Sequence, residues 1–266
     1  MGTGGAGGGG GAGGGIPAFG AADGTGLKGY FYDLKQTSDR KPTGMNLDRF
    51  YVVLKKYLEG GWNDSMLDKY FKSSKPLYTT RFAISTRESA EAPKAFHLEK
   101  EVTPALWAVP YHGKVMAPPG DYRFVGFADN VIVVRIAGQV VLDGGWTTLV
   151  KSPDLHRNIP QAWSKHYSSL GAKMAQQGLL KKGITFHINA GDPVDMDVLI
   201  GDDGGQCAFY LMIEKVDSMD SSDSNDTTKV PFFQLDDNGP PTFGPGAEHP
   251  PYGTTPAPWQ NSSDGL

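Results

Sequence analysis

Apolar positions change their spacing several times along the chain, and each change predicts an element. Gly29-Tyr30-Phe31-Tyr32-Asp33-Leu34 is short and aromatic, which predicts a first strand. Leu47, Phe50, Tyr51, Leu54 and Leu58 then fall on one face at helical spacing. Asn46 is placed to cap that helix and Gly60-Gly61 to stop it. Asp64 is placed to cap a second short helix carrying Met66, Leu67, Tyr70 and Phe71. Both apolar stripes are expected to pack against a sheet rather than to hold a cofactor.

From Leu77 onward the pattern is that of strands. Tyr78–Ile84, Leu106–Val115, Tyr122–Phe127, Val131–Ile136 and Gln139–Leu142 come first, with Ala137-Gly138 as a turn. Gly183–Ile188, Val194–Ile200 and Gln206–Val216 follow. Pro110 inside the second of these predicts an edge or a bulge. The structure of residues 146–182 stays open, with mixed helical and loop character over Ala162–Leu180. Short strands separated by Gly and Asp turns predict a mainly β protein, an antiparallel β-sandwich with a short helical insertion.

Composition sets the boundaries. The 36 Gly and 19 Pro concentrate at the ends, where little apolar surface is available to offset the entropy of ordering. Residues 1–26 read as a Gly-rich linker or tail. Residues 218–266 read as an acidic, then Pro/Gly-rich tail, with Phe232-Phe233-Gln234-Leu235 placed to dock back. Residues 27–217 remain as the sandwich domain. The net charge of -4, with no basic stripe, argues against nucleic acid as a partner. Lys181-Lys182 reads as a solvated turn.

The single cysteine, Cys207, excludes an intrachain disulfide and a Cys-based zinc site. Its apolar surroundings suggest a small buried hydrophobe, with a reactive thiol as the alternative. No apolar run is long enough to span a bilayer. Met1 leads into Gly without a secretory signal. The Gly tract reads as a tether, so a missing N-terminal segment is expected in preference to a protein that stays inside the cell.

Enzyme signatures are lacking. There is no Gly-x-Ser-x-Gly, no Walker-type loop and no His-Glu-x-x-His. None of the six histidines pairs at close metal-ligand spacing, and His187 reads as a half-buried structural residue. Asp195 and Asp197 share one strand face near a turn and are expected in solvent, without the apolar pocket that would separate two carboxyl pKa values. A non-catalytic protein is expected.

Three pieces occur in a telling order. They are Pro118-Pro119-Gly120-Asp121-Tyr122-Arg123-Phe124-Val125-Gly126-Phe127-Ala128-Asp129-Asn130, then Val131 to Asp143, then Ile188-Asn189-Ala190-Gly191-Asp192-Pro193 on to Gly204-Gly205. Together they resemble the carbohydrate-binding domain family first described in anthrax toxin protective antigen, and Gly29-Tyr30-Phe31 resembles its opening strand. The resemblance covers residues 27–216, with the helices as an insertion.

It implies a glycan-binding or adhesion module of the bacterial cell envelope or exterior, with glycan or envelope protein as partner. In sugar-binding members, paired aspartates at the first turn hold calcium and the ligand. Carried over, those positions are Asp129 and Asn130, the second a departure from the pattern. Asp202 and Asp203 lie in the later Gly-rich loop. The resemblance thus implies Asp129, Asn130, Asp202 and Asp203 as ligand-binding, and Asp129, Asp202 and Asp203 as calcium ligands. Read from their chemistry alone, Asp, Asn and Gly here favour turns by their own backbone chemistry, and plain turn formation is the simpler reading. A structural or assembly role, binding protein with no sugar or calcium site, stands as the alternative.

Overall fold

The computed structural model describes residues 18–159, 164–166, 177–216, 226–255 and 259–262. Strands are numbered in chain order. One sheet holds β1 (Leu27–Gly29), β2 (Tyr32–Thr37), β3 (Tyr70–Lys72), β4 (Leu77–Thr79), β6 (Trp107–Met116), β8 (Val131–Ile136), β9 (Gln139–Asp143), β14 (Val194–Asp202) and β16 (Gln260–Asn261). The second holds β5 (Ala83–Glu88), β7 (Gly120–Asp129), β10 (Arg157–Asn158), β13 (Lys181–Ile188) and β15 (Gln206–Val216). A small ladder joins β11 (Ser164–His166) to β12 (Gln177–Leu179). The helices among the described residues are α1 (Leu47–Glu59) and α2 (Glu91–Ala95).

The strand ladders are antiparallel, with β6-β14-β8 at the centre of the first sheet and β9 at its edge, and β13-β7-β15-β5 in the second. This is the expected sandwich. Its main core lies between the sheets, where Ile132, Val134, Ile136, Val198 and Ile200 meet Phe124, Phe209, Leu211 and Phe186. Trp107 and Phe209 approach at 6.0 Å between ring centroids.

The apolar run Val131–Ile136 lacks alternation because both of its faces are covered. Val131, Val133 and Leu199 point outward, under Phe50, Leu54, Tyr57 and Leu58 of α1. Asn46 caps α1 by accepting from the Arg49 N–H at 3.0 Å, and Gly60 ends it, as its spacing predicts. The second helix is shorter than expected. Asn63, not Asp64, caps a single 3₁₀ turn over Asp64–Leu67, and Tyr70 and Phe71 instead form β3 against β2. The first strand is likewise split into β1 and β2.

Pro110 is not at an edge. It sits in central β6, opposite Leu199 of β14. On its other side β1 pairs with Tyr111 and His112, and β2 with Trp107 and Ala108. Pro110 falls in the break between them, where no N–H is demanded of it. Lys181 and Lys182 are also corrected: they are buried at the start of β13. The Lys181 ammonium donates to the Gly145 carbonyl.

The ends of the domain differ most from expectation. Phe19 is buried against Trp107 and Phe209, so the described part of 1–26 already belongs to the fold. Beyond residue 225, Phe233, Leu235 and Trp259 enter the main core, and β16 pairs with β6. Phe232, Phe243 and Tyr252 cover the outer face of the second sheet over Tyr210. The described part of 218–266 is therefore packed structure. The acidic stretch 217–225, and most of the Gly tract, lie outside the described residues.

Candidate functional site

Asp129 ends β7 and Asn130 links it to β8, while Asp202 ends β14 and Asp203 begins the next turn. Because β14 pairs with β8 up to Gly201↔Val131, both turns arrive at one end of the sandwich. Asn130 joins them: its Oδ1 accepts from the Asp203 N–H at 2.8 Å, and its Nδ2 donates to Asp129 Oδ1 at 3.0 Å. The Asp129–Asn130 peptide is cis. Gly145 packs so closely that a Cβ there would lie 2.6 Å from the Asn130 carbonyl oxygen, so no larger residue fits without moving this loop. The four predicted residues do come together.

Their environments differ from the expected exposed turns. Asp202 is fully buried and Asp129 is 6% exposed, while Asn130 and Asp203 are half-buried. The Ser89 hydroxyl donates to Asp202 Oδ2, the Gly204 N–H donates to the same oxygen at 3.0 Å, and Trp107 Nε1 donates to Ser89 Oγ at 2.9 Å. Asp202 Oδ1 is buried with no hydrogen-bond partner. Burial pushes the Asp202 carboxyl up to about 8; the Ser89 hydrogen bond opposes that shift, and the nearby Asp129 and Asp203 charges reinforce it. Burial also raises Asp203, whose Oδ2 accepts from the Tyr51 hydroxyl of α1 at 2.6 Å.

The donor set is hard oxygen, the right chemistry for calcium, and Asp202 Oδ1 is an orphaned oxygen within it. The number of free oxygens is the weak point. Calcium takes about six to eight, yet Asn130 Oδ1, Asp203 Oδ2 and Asp202 Oδ2 already accept hydrogen bonds. Among the described residues no group of three or more His, Cys, Asp or Glu side chains is arranged to hold a metal ion. The site fits such an ion only with hydroxyl or carbonyl oxygens from elsewhere completing its shell.

Sequence reasoning missed Ser89, Trp107 and Tyr51, which reach the site from β5–α2, β6 and α1. Nothing local in the sequence marks them, since each is brought in by sheet pairing or by docking of the insertion. It also misjudged Asp197. Asp195 is exposed as expected and binds Lys114 at 2.7 Å. Asp197 is buried, with Oδ1 2.6 Å from His112 Nδ1 and Oδ2 accepting from Arg135 Nε at 2.7 Å. His112 Nε2 lies 3.1 Å from Asp64 Oδ1, which also accepts from the Tyr57 hydroxyl at 3.0 Å. With a carboxylate on each ring nitrogen, both must donate, so His112 is an imidazolium. His187, by contrast, is exposed and paired with Asp121 at 2.7 Å.

No family profile matches the sequence, and no curated protein matches it. Among solved structures, the chain is similar to the PA14 sugar-binding domain from RTX adhesin, at 15% identity over 72% of this chain and 90% of that one, with a TM-score of 0.41. It is also similar to the PA14 domain of the MpAFP antifreeze protein, at 14% identity over 81% and 88%, TM-score 0.44. A third is the Epithelial Adhesin 6 A domain from Candida glabrata in complex with Galb1-3GlcNAc, at 14% identity over 80% and 88%, TM-score 0.38. No helix among the described residues is long and apolar enough to cross a membrane.

Proposed function

We propose that this chain is a non-catalytic carbohydrate-binding or adhesion module of the cell envelope or exterior. Its ligand would engage the end of the sandwich formed by Asp129, Asn130, Asp202 and Asp203. One observation carries the reading: Asp202 Oδ1 is buried and unpartnered where the two turns converge. A buried carboxyl oxygen without a partner is unfavourable. A calcium ion shared with ligand hydroxyls, or a hydroxyl alone, would satisfy it. The resemblance of the sequence to protective-antigen type domains favours a glycan as the source of those hydroxyls.

The test is a glycan-array screen with and without millimolar calcium, beside thermal unfolding. Calcium at about a hundredfold excess over Kd should stabilise the fold by about 2.7 kcal/mol, and Asp129→Ala should remove that gain. An unchanged melting temperature, with no heat of calcium binding and no glycan bound, would sink the reading. The hydrogen bond from Tyr51 to Asp203 favours a second reading, in which α1 covers this end and the module binds protein partners without sugar or calcium. Under that reading Tyr51→Phe leaves the array blank.

A further inference from the structure

A cleft of about 690 Å³ opens on the outer face of the first sheet, beyond the part that α1 covers. Sheet register explains its lining. Tyr78 of β4 pairs with Lys28 of β1, Lys28 with His112 of β6, His112 with Asp197 of β14, and Asp197 with Arg135 of β8. Directly paired residues in antiparallel strands project from the same face. These five side chains therefore form one row across five strands, and all five line the cleft.

The row is unbalanced in charge. Asp197 is shared by Arg135 and the His112 imidazolium, and Asp64 takes the other side of His112. Lys28 stands beside His112 with no carboxylate partner among the described residues; its ammonium lies 5.8 Å from the Tyr30 ring. Like charges directly opposite on neighbouring strands, with Cβ atoms about 4.5–5.5 Å apart, destabilise a sheet. Lys114 does not alter this balance, since it is paired with Asp195 at the rim. Three cations meet two carboxylates in a concave site, with a half-exposed tyrosine ring at one end.

We propose that this cleft binds an acidic sugar unit, with its carboxylate on Lys28 and its ring against Tyr78. The anion would pair with the Lys28 ammonium and form charge-assisted hydrogen bonds. A pyranose ring offers an apolar face for the tyrosine. The sugar half of this assignment rests on the carbohydrate reading above; the anion half does not. The cleft lies toward the Val194 end of β14, whereas the aspartate site lies at its Asp202 end, so the two sites can be tested apart.

The experiment is calorimetric titration of the full chain, in EGTA, with trigalacturonate, with a neutral galactose trimer and with sodium sulfate. Trigalacturonate should bind, weaken about tenfold in Lys28→Met and weaken further as salt rises. The neutral trimer should not bind. Lys28→Met removes an unbalanced charge, so the fold should survive, and its melting temperature is measured beside each titration. Trigalacturonate binding that Lys28→Met leaves unchanged, equal binding of the neutral trimer, or no binding at all would overturn the proposal. Sulfate binding as tight as trigalacturonate would reduce the cleft to an anion site and overturn its sugar half. Calcium-dependent glycan binding without uronate binding would remove this inference and leave the first reading standing; uronate binding alone would do the reverse.

Discussion

Asp202 shows how far a residue's meaning can lie from its local sequence. Asp202 and Asp203 stand before Gly204-Gly205, a turn by composition, and the turn is there. What the turn residues do not disclose is that Asp202 is fully buried, because β14 carries it to the edge of the core, beside Ser89 of the β5–α2 link, more than a hundred residues away in sequence. Its pH behaviour follows from that burial. An unfolded aspartate has a pKa near 3.9, whereas burial holds the folded one up to about 8. The folded state therefore binds the proton more tightly. This contribution to stability is fully present below the unfolded pKa and is lost as pH rises through about 8. Melting temperature should thus fall between about pH 4 and pH 8 by an amount worth a few kcal/mol. Asp202→Asn, which is neutral throughout, should flatten that slope, and a titration of melting temperature in both proteins checks it. A slope unchanged in Asp202→Asn would place the titrating group elsewhere.

At the scale of elements, α1 was legible because its apolar positions keep one period and its caps are standard chemistry. The element after it was not. Asp64–Leu67 manages only a 3₁₀ turn, because Tyr70 and Phe71 bond across to β2 instead of continuing a helix. Two forces then hold the insertion on the sheet. The larger is apolar: Leu54 is fully buried over Val131, Val133 and Leu199, and Leu54→Ala should lower unfolding free energy by about 2–5 kcal/mol in urea denaturation. The other is the polar chain from Tyr57 through Asp64 and His112 to Asp197 and Arg135. Burial opposes the charged imidazole, yet its hydrogen bonds to Asp197 and Asp64 outweigh that and push it up to about 9. The stabilisation is present below the unfolded histidine pKa, near 6.5, and is lost as pH rises through about 9. With His112 partly exposed, the loss should be on the order of 2 kcal/mol. Asp64→Asn removes one of the two carboxylates, so its stability should depend less steeply on pH between 6.5 and 9 than the parent's.

At the scale of the whole molecule, the sandwich was legible and its boundaries were not. Alternation and β-branched runs mark strands wherever they lie, but a boundary inferred from composition counts Gly and Pro against order without asking where the few apolar residues go. In the C-terminal segment they go inward. Phe233, Leu235 and Trp259 join the core between the sheets, and Trp259 meets Phe233 at 5.7 Å and Tyr122 at 5.2 Å between ring centroids. Prolines between such anchors also lower the entropy that ordering removes, because the unfolded chain is already restricted. The segment should therefore behave as part of one cooperative unit. Trp259→Ala should cost about 3–5 kcal/mol, the range for deleting a large aromatic from a core. A chain ended after residue 225 loses all three anchors and the β16 pairing with β6 at once, a loss comparable with the whole stability of many domains. That truncated chain should unfold in urea well before the full one, or fail to yield a cooperative transition, while limited proteolysis of the full chain should spare the segment around Phe232–Leu235. If instead the truncated chain unfolds at the same urea midpoint with the same slope, then Trp259 and its neighbours only rest on a core that is complete without them.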